Sequence, residues 1–283
     1  MTTSTTEGKA VRVLTETGAT GLAAIAEDPG GAVIALDFDG TLAPIVADPS
    51  AAWIHPAAPA ALIRLAGQVA RIAIITGRPP STALALGDTP EGPDLIDVPG
   101  LLILGHYGLE RWEGGETVAP PPPSGLELVR NELPALVATL ADGVKIEDKG
   151  RAVAVHTRNC ADPDAVLAAL REPVARLAER AGLVVEPGRK VLELRGPGMD
   201  KGRALRALLA ETAARSVMFV GDDLGDLAAF AAVADSGLPG VRVCSGSSEV
   251  AALTEVCDVV VDGPAGVVAL LETLHKSITS RDQ

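Results

Sequence analysis

The chain has 283 residues, 47% hydrophobic but only 2% aromatic, so Ala, Leu and Val must fill a core large enough for one large domain or two modest ones. A net charge of −13 argues against a nucleic-acid partner, which needs clustered Lys and Arg. The three cysteines (Cys160, Cys244, Cys257) and four histidines (His55, His106, His156, His275) lack the spacing of a disulfide framework or a zinc site, and no apolar run approaches the ~20 residues of a membrane span.

No apolar signal core follows basic residues at the start of the chain, so a soluble, cytoplasmic protein is expected; a monomer is the expectation for its assembly. Residues 1–28 read as partly helical, a segment taken as an N-terminal helical extension over 1–30. Short β-type runs then recur, each followed by a turn and a helical pattern: VIALDF, RIAIIT, GLLILG, SVMFVGDD and CDVVVDG. Apolar strands alternating with helices predict a Rossmann-like parallel sheet covered on both faces, which binds ligands at the carboxyl ends of its strands.

The pattern breaks at the proline run 119–123, which reads as a stiff connector. Beyond it a helix is predicted over 126–140, strands over 144–148 and 152–157, a helix over 164–181, and strands near 183–185 and 191–194. After Gly196-Pro197-Gly198 the α/β pattern resumes. The fold class is therefore α/β with an inserted α+β module, divided as 31–112 (core, first part), 113–197 (insertion) and 198–283 (core, second part). Charge is uneven as well: residues 145–206 hold 13 basic and 9 acidic side chains, a local +4, which leaves −17 elsewhere and suits a small anionic substrate.

Four stretches carry reactive groups. In LDFDGT, Asp37 and Asp39 fall on the same side of an extended strand end, with Phe38 opposite. In IITGRPPS, Thr76 ends a strand, Gly77 permits close backbone approach, and the prolines suit a helix start, as in a phosphate site. In GMDKGRALRALLAE, Asp200 suits an N-cap, and Lys201 falls in the first turn, where the helix dipole disfavours a cation. A plain reading there is surface neutralisation of Lys201 by Asp200. In VMFVGDDLGDLAAF, Asp222, Asp223 and Asp226 crowd a strand end, and at ~4 Å and an effective dielectric of ~20 each like-charge pair costs roughly 4 kcal/mol. A magnesium ion relieves that repulsion.

Together these are the parts of phosphoryl transfer. Asp37 is the nucleophile, forming an aspartyl-phosphate. Asp39 is the acid-base group, Thr76 holds phosphate and Lys201 is the fixed cation. The expected Mg²⁺ ligands are Asp37, Asp39 (through its backbone carbonyl), Asp222, Asp223 and Asp226.

DFDGT, TGR, Lys201 and GDD with Asp226 resemble the four motifs of haloacid-dehalogenase-like phosphatases, and the insertion resembles their cap domain. Within that superfamily the stretches LDFDGTLAPIVADPSAAW, GHYGLERW, IEDKGRAVAVHTR and GRKVLELRG resemble trehalose-6-phosphate phosphatases, over about 31–274. The resemblance implies Mg²⁺-dependent hydrolysis of trehalose 6-phosphate, a step of trehalose biosynthesis. It also implies cap side chains that grip the sugar hydroxyls, here Glu147, Lys149 and Glu193, with Arg158 and Arg195 nearby; Gly77, Arg78 and His106 complete the expected substrate contacts.

The chain departs from the family where Gly225 and Leu227 replace a threonine and a glutamate of the fourth motif, and where Tyr107 stands in place of a common histidine, displacing His106 by one. These departures keep other readings open: a phosphatase for a sucrose or glucosylglycerol ester, a phosphomutase, or a non-catalytic sugar-phosphate sensor. The proline run and Gly196-Pro197-Gly198 are expected to act as hinges.

Overall fold

The computed structural model describes residues 11–139, 142–188, 190–246, 253 and 255–281. In chain order the first segment comprises β1 (Arg12–Val13), α1 (Glu16–Glu27), β2 (Ala32–Leu36), α2 (Ala58–Ala66), β3 (Arg71–Ile75), α3 (Pro80–Ala85), β4 (Leu102–Gly105), β5 (Glu110–Glu113) and β6 (Glu116–Val118). There follow α4 (Leu126–Ala138), β7 (Lys145–Asp148), β8 (Ala152–His156), α5 (Pro163–Arg180), β9 (Val184–Gly188) and β10 (Val191–Arg195). The last segment holds α6 (Lys201–Glu211), β11 (Ser216–Gly221), α7 (Leu227–Asp235), β12 (Gly240–Gly246), β13 (Val259–Asp262) and α8 (Gly263–Thr279).

The chain divides into two units, Met1–Thr117 with Asp200–Gln283, and Val118–Met199. In the first, one sheet runs β1-β13-β12-β11-β2-β3-β4-β5-β6. From β13 to β4 its neighbours pair in parallel, whereas β1 joins β13 and β5 joins β4 antiparallel. The central strands β2 and β11 are buried along their whole length, as strands covered on both faces must be. Ile34, Leu36, Ile72, Ile74, Met218, Val220, Val243 and Val261 pack with α1, α2 and α8. On the opposite face α6 and α7 pack together, bringing Leu205 and Phe230 into the interior.

The second unit is a four-stranded sheet, β7-β8-β10-β9, antiparallel throughout. Val153, Val155, Leu192 and Leu194 join Leu126, Val129 and Leu133 of α4 and Leu170, Val174 and Leu177 of α5 in a separate core. Strand residues alternate faces, so Glu147, Ala154, Glu193 and Glu186 form one row on the other side of this sheet.

Several sequence expectations need correcting. Residues 11–30 are no extension: β1 pairs with β13, and α1 packs on β11, β12 and α8; residues 1–10 lie outside the described residues. The second unit comprises Val118–Met199 against an expected 113–197, because 113 ends β5, which is hydrogen-bonded to β4 of the large sheet. Strands β5, β6 and β12 had no predicted counterpart. The helix expected over 126–140 is described to Ala138, and residue 140 lies outside the described residues. No helix among the described residues is long and apolar enough to cross a membrane.

Candidate active site

Adjacent parallel strands end side by side, and β2, β11 and β3 therefore deliver their following loops to one place. Asp37 follows β2 directly, and its N–H donates to the carbonyl of Val220 in β11 at 2.9 Å. The chain then folds into a tight loop: Gly40 N–H donates to Ala43 O at 2.7 Å, and Leu42 and Ala43 both donate to Phe38 O. Gly40 lies at φ +75°, in the left-handed region, and a Cβ there would sit 2.0 Å from Asp222 Oδ2. Only glycine lets this loop lie against the carboxylate.

Lys201 is the first residue of α6, whose N-cap Asp200 accepts from Arg203 N–H at 2.7 Å. Asp200 is thus occupied in capping, and Lys201 turns inward rather than being neutralised at the surface. Its Nζ lies 2.9 Å from Asp37 Oδ1 and 2.7 Å from Asp226 Oδ1. All three groups are buried, so each charge depends on the others, a buried pair being stable only when well hydrogen-bonded.

Asp226 also ties down the loop after β11. Its Oδ2 accepts from the N–H groups of Asp222 at 2.9 Å and Asp223 at 3.1 Å, and Gly221 leaves room, since a Cβ there would meet Asp226 Cγ at 2.3 Å. Asp223 Oδ1 in turn accepts from Gly225 N–H at 2.8 Å.

Asp37, Asp222 and Asp226 offer carboxylate oxygens within 4.8 Å of one another. Burial is the main cause that holds the Asp37 carboxyl well above the ordinary carboxylate range; Lys201 opposes the rise, and Asp226, Asp223 and Asp39 add to it. Burial, then Asp37, Asp226 and Asp223, pushes Asp222 up to about 9. Asp223 is raised too, by burial and by Asp226. Burial would lower the Lys201 ammonium, but Asp226 and Asp37 outweigh it and hold the group well above the usual lysine range. So many carboxylates around one ammonium fit a hard divalent cation, which takes oxygen ligands. Both Asp226 oxygens are engaged, one by Lys201 and the other by two amides, so besides belonging to this group of three Asp226 holds Lys201 and the loop. Asp223 lies outside the group of three.

The loop after β3 lies alongside. Thr76 is buried, and its Oγ1 accepts from Arg78 N–H at 3.1 Å. Arg78, expected as a substrate contact, forks onto Asp39, with Nε to Oδ2 at 2.7 Å and Nη2 to Oδ1 at 2.6 Å. Gly77 passes under Tyr107, whose hydroxyl would be 2.8 Å from a Cβ at that position. His106 is buried, and both His106 and Tyr107 have positive φ, 47° and 60°. Such backbone costs of order 1–3 kcal/mol per residue and clusters at functional sites. Here His106 N–H donates to Arg78 O and Tyr107 N–H to Thr76 O, which fixes this loop against TGR.

Tyr107 and Ser245, whose Oγ donates to Gly40 O at 2.7 Å, were not among the expected site residues. Tyr107 is the one tyrosine of the chain and a departure from the family pattern, a signal that was visible. Ser245 lies in β12, and without that strand nothing pointed to it.

In the second unit, Glu147 Oε2 lies 2.8 Å from His156 Nε2, Lys149 pairs with Glu193, and Arg195 pairs with Glu186 and donates to Met199 O. Glu193 is buried, and its Oε1 has no hydrogen-bond partner among the described residues. Arg158 sits in the turn beyond β8, off the row. His156 and Glu186 were not among the expected site residues, although the register puts Glu186 directly opposite Glu193.

A family model described as trehalose-phosphatase matches residues 35–258, most of the chain. The chain belongs to this trehalose-phosphatase family. A trehalose-phosphate phosphatase of Mycobacterium tuberculosis is 32% identical over 256 residues, covering 86% of this chain and 61% of the relative. An uncharacterised glycosyl hydrolase of the same organism is 38% identical over 223 residues, covering 72% of this chain and 15% of the relative. The chain thus spans less than two thirds of the length of these curated relatives.

Among solved structures, the C-terminal domain of a C. albicans trehalose-6-phosphate phosphatase superposes with a TM-score of 0.76 at 20% identity, over 94% of this chain and 99% of that one. A haloacid dehalogenase-like hydrolase from Bacteroides thetaiotaomicron superposes with a TM-score of 0.58 at 19% identity, over 86% of this chain and 98% of that one. The fold of this trehalose-phosphatase family member is therefore haloacid-dehalogenase-like.

Proposed function

We propose that the protein is a Mg²⁺-dependent phosphatase that hydrolyses trehalose 6-phosphate to trehalose and phosphate. The observation that carries this reading is Lys201, buried between Asp37 and Asp226 beside Asp222, in a chain of the trehalose-phosphatase family. The ammonium offsets the charge of Asp37, so that an anionic phosphate can approach it.

Asp37 and Asp222 would hold the cation, together with the Asp39 carbonyl; when bound, it supplies charge that neutralises the phosphate oxygens. Asp37 attacks phosphorus while Asp39 gives its proton to the departing sugar oxygen. Asp39 then takes a proton from the water that opens the aspartyl-phosphate, which restores both carboxyl groups to their starting state. Thr76 and the Gly77 backbone hold phosphate oxygens, and His106 belongs to the wall of that pocket. In the second unit the sugar hydroxyls bind Glu147, Lys149 and Glu193, and the orphaned Oε1 of Glu193 supports this, because a buried acceptor without a donor is costly unless a ligand supplies one.

The test is release of inorganic phosphate across a panel of sugar phosphates with Mg²⁺ present. Trehalose 6-phosphate is expected to give the highest kcat/KM, with none released by Asp37→Asn. No phosphate from any ester would end the reading, and a sensor would show thermal stabilisation by ligand without product. Preference for another sugar phosphate is the second reading; Leu227 favours it, standing 37% exposed where the family has a glutamate.

A further inference from the structure

Arg78 is buried where three loops meet. Its fork onto Asp39 uses Nε and Nη2, and Nη2 also donates to Pro49 O at 2.9 Å. The guanidinium carbon lies 5.8 Å from the centre of the Phe38 ring. Its backbone is pinned as well, N–H to Thr76 Oγ1 at 3.1 Å and carbonyl from His106 N–H at 3.2 Å. The plane of the fork is therefore set by residues of three separate loops. The Asp39 side chain is 34% exposed, and among the described residues its carboxylate accepts hydrogen bonds from Arg78 alone. Among the described residues no other side chain fixes its direction.

We propose that Arg78 is a positioning residue for Asp39, holding the carboxyl group in the orientation that delivers its proton to the leaving oxygen. The inference rests on the phosphatase reading above and assigns Arg78 a different part from the substrate contact expected of it. In the step concerned, the Asp37 oxygen–phosphorus bond forms, the phosphorus–sugar oxygen bond breaks with its electron pair left on oxygen, and the Asp39 proton moves to that oxygen. In the fork both Asp39 oxygens accept, as in a carboxylate, so for this step one oxygen must turn out of the fork and carry the proton. Oδ1 is the one to release, because its donor Nη2 is already shared with Pro49 O, while Nε keeps the group in plane. A lysine has one point charge and no fork, so it cannot hold a carboxylate plane in this way.

A leaving group that needs no proton separates this role from substrate binding or structural support. A sugar alkoxide leaves badly without protonation, whereas p-nitrophenolate leaves as a stable anion. The experiment compares kcat/KM for p-nitrophenyl phosphate and for the sugar phosphate that the wild type turns over fastest, in wild type, Arg78→Lys, Arg78→Met, Asp39→Asn and the Arg78→Met/Asp39→Asn double variant. Thermal unfolding of each confirms a folded sample. The ratio of sugar ester to nitrophenyl ester is expected to fall about tenfold or more in Arg78→Met, in the same direction as in Asp39→Asn. Arg78→Lys should recover little of it, and the double variant should resemble Asp39→Asn, since residues acting as one unit are not additive.

Equal loss on both esters, recovery of the ratio by lysine, or full additivity in the double variant would overturn the assignment while leaving the phosphatase reading intact. A wild type inactive on every ester would overturn both.

Discussion

Without a divalent cation, the stability of this protein should fall as pH rises. Asp222 titrates near 3.9 in an unfolded chain but at about 9 in the fold, and Asp37 and Asp223 are raised as well. Between these values the folded protein keeps protons that the unfolded chain has released. A group with a raised folded pKa gives stability that is fully present below the unfolded value and is lost as pH climbs through the folded one. The slope is about 1.4 kcal/mol per pH unit for each retained proton, so a single proton accounts for about 4 kcal/mol between pH 5 and pH 8.

The carboxyls held below their ordinary range, Asp28, Glu113, Asp148 and Asp258, act in the opposite sense. Arg215 at Asp28, Arg111 at Glu113, Arg130 at Asp148 and Arg242 at Asp258 keep them ionised, the last against its burial; their contribution is complete above the unfolded carboxylate value and is lost only as pH falls below it. They leave the window above pH 5 flat. Urea unfolding across pH 5–8, in EDTA and in excess Mg²⁺, reads the effect directly. The EDTA series should slope downward, Mg²⁺ should stabilise more at each higher pH, and Asp222→Asn should remove about one proton's worth of slope. A metal-free stability that is flat or rises over this range, in wild type and variant alike, would refute the reasoning.

Lys201→Met leaves Asp226 buried without its ammonium, and should cost about 3–5 kcal/mol in chemical denaturation along with all measurable turnover. Gly40→Ala forces a left-handed residue and a Cβ onto Asp222, so a loss of more than about 1 kcal/mol and a fall in kcat of about 10² or more are expected, read by unfolding and phosphate release. Glu193→Gln weakens the contact with Lys149 and removes a buried acceptor, and should raise KM for the sugar ester by about tenfold while KM for p-nitrophenyl phosphate stays within about twofold.

The strands that carry the chemistry were legible because burial on both faces writes itself as unbroken apolar runs, and VIALDF and SVMFVGDD became β2 and β11 at the centre of the sheet. The insertion was legible element by element, since its prolines and its alternating strands mark their own boundaries. What escaped was set by tertiary context. Strand β12, in GVRVCSG, carries Arg242 and Ser245 among its apolar residues and reads as broken, and it forms because β11 and β13 flank it. Neither β1, two residues long, nor the β5–β6 edge has a hydrophobic pattern of its own.

In the site, Asp37, Asp39, Lys201 and the GDD carboxylates could be singled out from charge crowding at strand ends. Their division of labour could not. That Asp226 holds Lys201 and two amides, and that Arg78 holds Asp39, depends on which oxygen faces which donor, and spacing along a chain does not encode it.

Phosphorylation of Asp37 during turnover is the step on which every role assigned to the site depends. Rapid acid quench of the protein turning over its sugar phosphate with Mg²⁺, followed by peptide mass spectrometry, should find phosphate on the peptide carrying Asp37 and none in Asp37→Asn. Undiminished phosphate release by Asp37→Asn, with no modified peptide in the wild type, would contradict it.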